Sequence, residues 1–238
     1  VLIVFDTSGS MAFSTSSGNS CGFSNGLYIP CSDSRLGVAQ DAITKLVDGN
    51  DDIDFGLMRF NSTNGGYVLA GIGSDISALK TTIAGLPADG GTPLTETLWE
   101  AYLYITGQSL FYGEKVDIAR RDTSIENANP YTYNELVCSG PWWDRDCYYE
   151  PRIGYTYSYI SPFDNSEEVK RCDNSVNIIY MTDGDPSAGS DNEQDSNISA
   201  LHKSYFGSSL SSDDKIAGVY LHKLAKIIHG TDDVEVDL

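Results

Sequence analysis

Two apolar runs frame the chain. Val1–Phe5 (VLIVF) stops at Asp6, and Ser175–Met181 stops at Thr182-Asp183-Gly184-Asp185. A run without alternation predicts a strand covered on both faces, as in parallel sheets flanked by helices. Between them, Leu36, Ala39, Ile43, Leu46 and Val47 recur at helical spacing. They predict a helix over Arg35–Asp48 with Ser34 as its N-cap. Phe55–Phe60 and Tyr67–Ile72 flank a polar turn and predict a hairpin, which adds one antiparallel edge strand to the sheet. Ser74 is placed to cap a short helix through Leu86. Thr92 and Pro93 open a helix over Leu94–Gly107, as N-cap and first helical residue, with Leu94, Leu98, Ala101, Tyr102 and Ile105 on one face. Ile216, Tyr220, Leu224, Ala225 and Ile228 predict an amphipathic helix over Lys215–His229, and Val234–Leu238 begins another strand. The expected fold is α/β: a mostly parallel sheet with one antiparallel edge strand and helices on both faces, one domain over residues 1–238.

Three stretches interrupt this pattern, at about 12–33, 109–172 and 186–213, and read as insertions. The second has no regular periodicity, yet holds eight of the 15 tyrosines together with Trp142 and Trp143. An irregular stretch of that length is either functional or has an order of its own. Trp142, Trp143, Tyr148 and Tyr149 are candidate partner-binding residues if exposed; the other reading has the aromatics packed inward. The third contains Asp191, Glu193 and Asp195 at spacings that fit no calcium loop, and reads as a solvated loop. The cysteines fall in these loops. Loop cysteines favour an oxidising compartment, with Cys21–Cys31 and Cys138–Cys147 as candidate disulfides and Cys172 left over. Reduced, buried cysteines are the alternative.

The formal net charge of −19 disfavours nucleic acid as a partner and attracts cations. No apolar run approaches the roughly 20 residues of a transmembrane helix. The chain opens inside a strand and closes in another, which reads as a piece cut from a longer protein.

Asp6, Ser8 and Ser10 follow the first strand on a Gly-containing loop, Thr92 precedes a helix, and Asp183 ends the other apolar strand. Strand–helix alternation places all three loops at the carboxyl edge of one sheet, where open α/β folds bind ligands. Two carboxylates and three hydroxyls are hard oxygen ligands of low total charge, suited to Mg²⁺ first and also to Mn²⁺ or Ca²⁺. Singly, each has a plainer reading: a cap for Thr92, a turn acid for Asp183, a Ser-rich turn for the first loop.

DTSGS, GGTP and TDG resemble the metal-ion-dependent adhesion site (MIDAS) of von Willebrand factor A (VWA) domains. The resemblance implies a six-stranded sheet with Asp6, Ser8, Ser10, Thr92 and Asp183 as metal ligands, some through water, and a coordination position open to a partner's carboxylate. RLGVAQDAITKLVDGNDDIDFGLMRFN, GGTPLTETLWEAYLYITG and YMTDGDPS are further similar to the N-terminal region of the type IV pilus tip-adhesin family (PilC/PilY). That resemblance implies an extracellular module at the pilus tip, with minor pilins and a host or surface ligand as partners, acting in pilus biogenesis, adhesion, twitching motility and surface sensing. The family's C-terminal β-propeller has no counterpart in this sequence. A VWA module of another secreted or envelope protein is the alternative. An enzyme is disfavoured. Haloacid-dehalogenase-type phosphotransferases need a second acid two residues after the nucleophile, where this chain has Ser8, and a serine hydrolase needs a base near Ser8 or Ser10, whereas the nearest histidine in sequence is His202.

Overall fold

The first strand, β1 (Leu2–Phe5), is wholly buried and lies at the centre of the sheet. The computed structural model describes residues 1–25, 27–61, 63–163, 176–184, 186 and 191–230. After β1 come a small hairpin of β2 (Phe23–Ser24) and β3 (Leu27–Tyr28), α1 (Arg35–Asp48), β4 (Gly56–Phe60), β5 (Gly66–Ala70), α2 (Ile76–Ala84) and α3 (Leu94–Thr106). They are followed by β6 (Glu126–Ser139), β7 (Asp146–Tyr159), β8 (Ile178–Met181), α4 (Asp195–Phe206) and α5 (Leu221–His229).

Among the described residues the main sheet has four strands in the order β5-β4-β1-β8. β1 pairs in parallel with β4 and β8, and β5 closes the edge antiparallel to β4. This is the mixed α/β architecture expected. Side-chain alternation along β1 explains why its run is unbroken. Ile3 and Phe5 join the core beneath α1 and α2 (Leu36, Ile43, Leu79, Ile83), whereas Leu2 and Val4 join the core beneath α3 and α5 (Leu98, Leu103, Leu224, Ile227). Both layers are fully buried, so neither face of the strand tolerates a polar residue.

The predicted cap of α1 holds: Ser34 Oγ accepts from Gly37 N at 3.0 Å. Two other caps shift by one residue. Asp75, instead of Ser74, accepts from Ala78 N, and Pro93 takes the N-cap place of α3, so Thr92 lies just before it. α3 buries all but its last two residues, well beyond the single face expected, because it lies between the sheet, α5 and the root of β7. Its Glu100 is the anchor of that root. The carboxylate accepts from Tyr112 N (2.8 Å), Gly113 N (3.0 Å) and Tyr159 OH (2.8 Å).

Three expectations are corrected. The 109–172 insertion is not irregular, since β6 and β7 pair over 14 residues each as a long antiparallel hairpin. The 186–213 stretch contains α4, which buries only Ile198 and His202 and so carries a weak apolar stripe. The last helix begins at Leu221, because Ala217 and Gly218 both take positive φ and break it. Val234–Leu238 and Cys172 lie outside the described residues.

Candidate metal centre

The carboxyl ends of β1 and β8 are held side by side: Asp6 N donates to Met181 O at 2.9 Å. Asp6 is fully buried. One carboxylate oxygen accepts from Ser8 N at 2.7 Å, turning the loop back on itself, and the other accepts from Thr182 Oγ1 at 2.8 Å. Ser8 Oγ and Ser10 Oγ are 3.0 Å apart, and Ser10 Oγ donates to Asp183 Oδ1 at 2.9 Å. Four of the five predicted ligands therefore belong to one hydrogen-bonded network: the Ser8, Ser10 and Asp183 oxygens are linked in a row, and Asp6 joins them through the backbone N–H groups of Ser8 and Asp183. Burial holds the Asp6 carboxyl above its usual range, against the hydrogen bonds of Ser8 and Thr182, and the nearby Asp183 charge adds to the rise.

The third loop docks on the first. Gly9 N donates to Gly90 O (3.0 Å) and Asp89 N to Thr7 O (2.7 Å). Thr92 follows Gly90 by two residues, so its backbone lies within about 7 Å of that anchor. The three loops thus meet at one sheet edge, as their order in the sequence requires. Among the described residues no three His, Cys, Asp or Glu side chains gather as a metal cluster. The expected set differs in kind, having only two carboxylates and otherwise hydroxyls. Those donors fit a hard divalent cation: they are oxygens only, converge on one another, and include a buried carboxylate whose charge no cationic side chain contacts among the described residues.

Two residues at this site escaped the sequence reading. Thr182 orients Asp6. Arg35, the first residue of α1, donates from Nη1 to Asp183 Oδ2 at 2.5 Å and neutralises the carboxylate that Ser10 also contacts. Thr182 was legible in part, as the neighbour of Asp183. Nothing around Arg35 in the sequence marks it.

Both predicted disulfides are present, Cys21–Cys31 and Cys138–Cys147, which fits an oxidising compartment. The second joins β6 to β7 just below the hairpin tip. Trp142 and Trp143 lie beyond it, 81% and 71% exposed, in edge-to-face contact. Tyr149 (69% exposed) and Tyr148 sit on opposite faces of the hairpin, paired with Leu136 and Val137. One hairpin face carries Pro130/Tyr155, Thr132/Ile153, Asn134/Pro151 and Leu136/Tyr149, with no charge between Ala128 and the disulfide. The other carries Tyr133/Arg152 and Glu135/Glu150, with Arg152 bridging both glutamates. The inward-packing reading of the aromatics fails along this arm and holds at its root, where Tyr159 is buried.

No protein-family model and no curated protein matches the chain. Among solved structures, part of it is similar to an uncharacterized membrane spanning protein from Vibrio fischeri, at 21% identity over 36% of this chain and 37% of that one, with a TM-score of 0.26. Another part-match is an aerotolerance-related membrane protein from Bacteroides fragilis NCTC 9343 carrying multiple mutations to serines, at 23% identity over 42% and 44%, with a TM-score of 0.31. The chain spans less than half the length of either, and at these TM-scores neither likeness bears on function. No helix among the described residues is long and apolar enough to cross a membrane.

Proposed function

We propose that the chain is a binding module that engages its partner through a divalent cation held by Asp6, Ser8, Ser10, Thr92 and Asp183, in the manner of a VWA domain. The observation that carries this is the hydrogen-bonded network that gathers Asp6, Ser8, Ser10 and Asp183 at the carboxyl edge of the sheet. Mg²⁺ is the cation best suited to so few charged ligands, since it keeps several waters. The cation supplies a Lewis-acidic position for a partner's carboxylate. The protein's own residues orient the donors: Thr182 fixes Asp6, and the Gly9–Gly90 bond holds the Thr92 loop. No catalytic residue is assigned.

The sequence likeness to PilC/PilY supports a finer reading, an extracellular adhesion module at a type IV pilus tip, with minor pilins and a host or surface ligand as partners. The exposed hairpin, with Trp142 and Trp143 at its tip, is the surface we assign to partner contact. The test is binding of the purified protein to isolated pili and to carboxylate-bearing surfaces, with Mg²⁺ or with EDTA. Binding that needs the cation and is lost in Asp183→Ala is expected. Equal binding in EDTA would overturn the reading.

A further inference from the structure

Arg59 poses a problem that the cation site does not explain. It lies on β4 with only 4% of its surface exposed. The chain carries 34 acids against 15 lysines and arginines, yet among the described residues no carboxylate is within ion-pairing distance (4.0 Å) of Arg59. Arg121, the comparably buried arginine, does have one, Glu126 at 3.0 Å. Arg59 Nε donates to Thr7 Oγ1 (3.1 Å) and Phe60 O (2.9 Å), and the Tyr67 hydroxyl is a further hydrogen-bond partner of its guanidinium. Burial pulls the guanidinium down from its ordinary pKa, with Arg120 adding to the fall; Tyr67 opposes it, and Asp89 does so from beyond ion-pair range.

A second guanidinium converges on the same place. Arg120 and Arg59 both lie over the Tyr67 ring, at 5.7 and 5.9 Å from its centroid, and Arg120 Nη2 donates to Tyr67 OH at 3.1 Å. Both arginines line a surface cavity of about 310 Å³, closed on the other side by the end of α2 and by Pro87. Two like charges facing one cavity repel, and each lowers the other's stability in the charged form. They are not there to cap α2. The last carbonyls of that helix are already taken, Ile83 O by Gln40 Nε2 at 2.8 Å, and Thr81 O and Thr82 O by Gly85 N at 3.2 Å. Thr81 and Thr82 also line the cavity, but their hydroxyls donate back to Ser77 O and Ala78 O, so the arginines remain its cationic donors.

We infer that the Arg59–Arg120 cavity binds a tetrahedral oxyanion, a phosphate or sulfate group. One guanidinium fork is satisfied by the two oxygens of a carboxylate, whereas two forks on one cavity call for the additional oxygens of a tetrahedral ion. The cavity is open to solvent, so a carrier attached to the anion would extend outward from it. The site is on the α1/α2 face of the sheet and does not depend on the cation reading.

The test is thermal unfolding and calorimetric titration of the whole chain in EDTA, with phosphate, sulfate or acetate against chloride at matched ionic strength. Arg120 is exposed, so Arg120→Gln leaves the fold intact; Arg59→Lys keeps the charge and removes the fork. Phosphate and sulfate stabilise proteins generally by exclusion from the surface, so the readout is the difference between wild type and variant. Anion at about 100 times Kd raises Tm by roughly 5–10 °C in wild type, and Arg120→Gln loses that increment. Glycerol 3-phosphate and galactose 6-sulfate arms, set against the free ions, distinguish a carried group from a free one. An equal shift in wild type and Arg120→Gln, or acetate acting as well as phosphate and sulfate, would overturn the inference.

Discussion

Glu96 makes the stability of this fold depend on pH in an unusual direction. It stands in the first turn of α3, fully buried, and one oxygen accepts from Gly65 N at 3.0 Å. Gly65 takes φ +61°, and a Cβ there would meet the Tyr112 ring at 2.1 Å, so the carboxyl pins a turn that only glycine can make. Burial, then the neighbouring Asp191 carboxylate, push Glu96 up from 4.5 to about 7. That rise is worth about 3 kcal/mol. Between these values the folded protein keeps a proton that the unfolded chain releases. The stabilisation is therefore complete below about pH 4.5 and is lost as pH climbs through 7. Asp191, which caps α3 through Thr95 N and Glu96 N at 2.9 Å, is raised to about 6 and acts in the same direction at lower pH. Glu96→Gln has no proton to release. Melting curves at pH 4, 5, 6, 7 and 8, in EDTA at constant ionic strength, should show wild type losing about 3 kcal/mol more than Glu96→Gln across the range. For a domain of this size that corresponds to roughly 6–12 °C in Tm. The general repulsion of a chain with net charge −19 is common to both proteins and cancels in the difference. Parallel pH profiles would refute the reasoning.

Further outcomes follow from the same geometry. Arg35→Gln frees Asp183 Oδ2 from the guanidinium and should tighten Mg²⁺ binding about tenfold, measured calorimetrically; unchanged or weaker affinity would show that Arg35 supports the site instead of competing for it. Glu100→Ala strips the acceptor from Tyr112 N, Gly113 N and Tyr159 OH, and should cost at least about 3 kcal/mol in chemical denaturation, with proteolysis opening first at the hairpin root. Replacing residues 129–156 by a tight turn keeps that root and should leave Tm nearly unchanged while abolishing binding to isolated pili; loss of folding would show that the arm is structural.

The parts of the fold that were legible in the sequence are those whose chemistry is read against the core. β1 is apolar throughout because both its faces are covered, and Ser34 caps α1 because the free amide of Gly37 needs an acceptor. The hairpin was hidden for the opposite reason. Neither face of β6–β7 packs on the sheet, so Tyr131, Tyr133, Leu136, Tyr149 and Ile153 are scattered over two exposed faces and give no inside–outside alternation. Cross-strand pairing and the Cys138–Cys147 bond hold it instead. α4 was missed because two buried residues make too weak a stripe. At the site, the loops carrying Asp6, Thr92 and Asp183 could be placed at one edge from strand order alone. Arg35 could not, since its contact with Asp183 spans 148 residues and exists only in the folded chain.

The central claim is that this set of oxygens holds a divalent cation. Calorimetric titration of the purified chain with Mg²⁺ after EDTA treatment tests it most directly, alongside Asp6→Asn and Asp183→Asn. The account predicts one saturable site per chain in the wild type, absent in both variants while their far-ultraviolet circular dichroism stays unchanged. A wild type that takes up no Mg²⁺, Mn²⁺ or Ca²⁺, or variants that bind as well as it does, would contradict it.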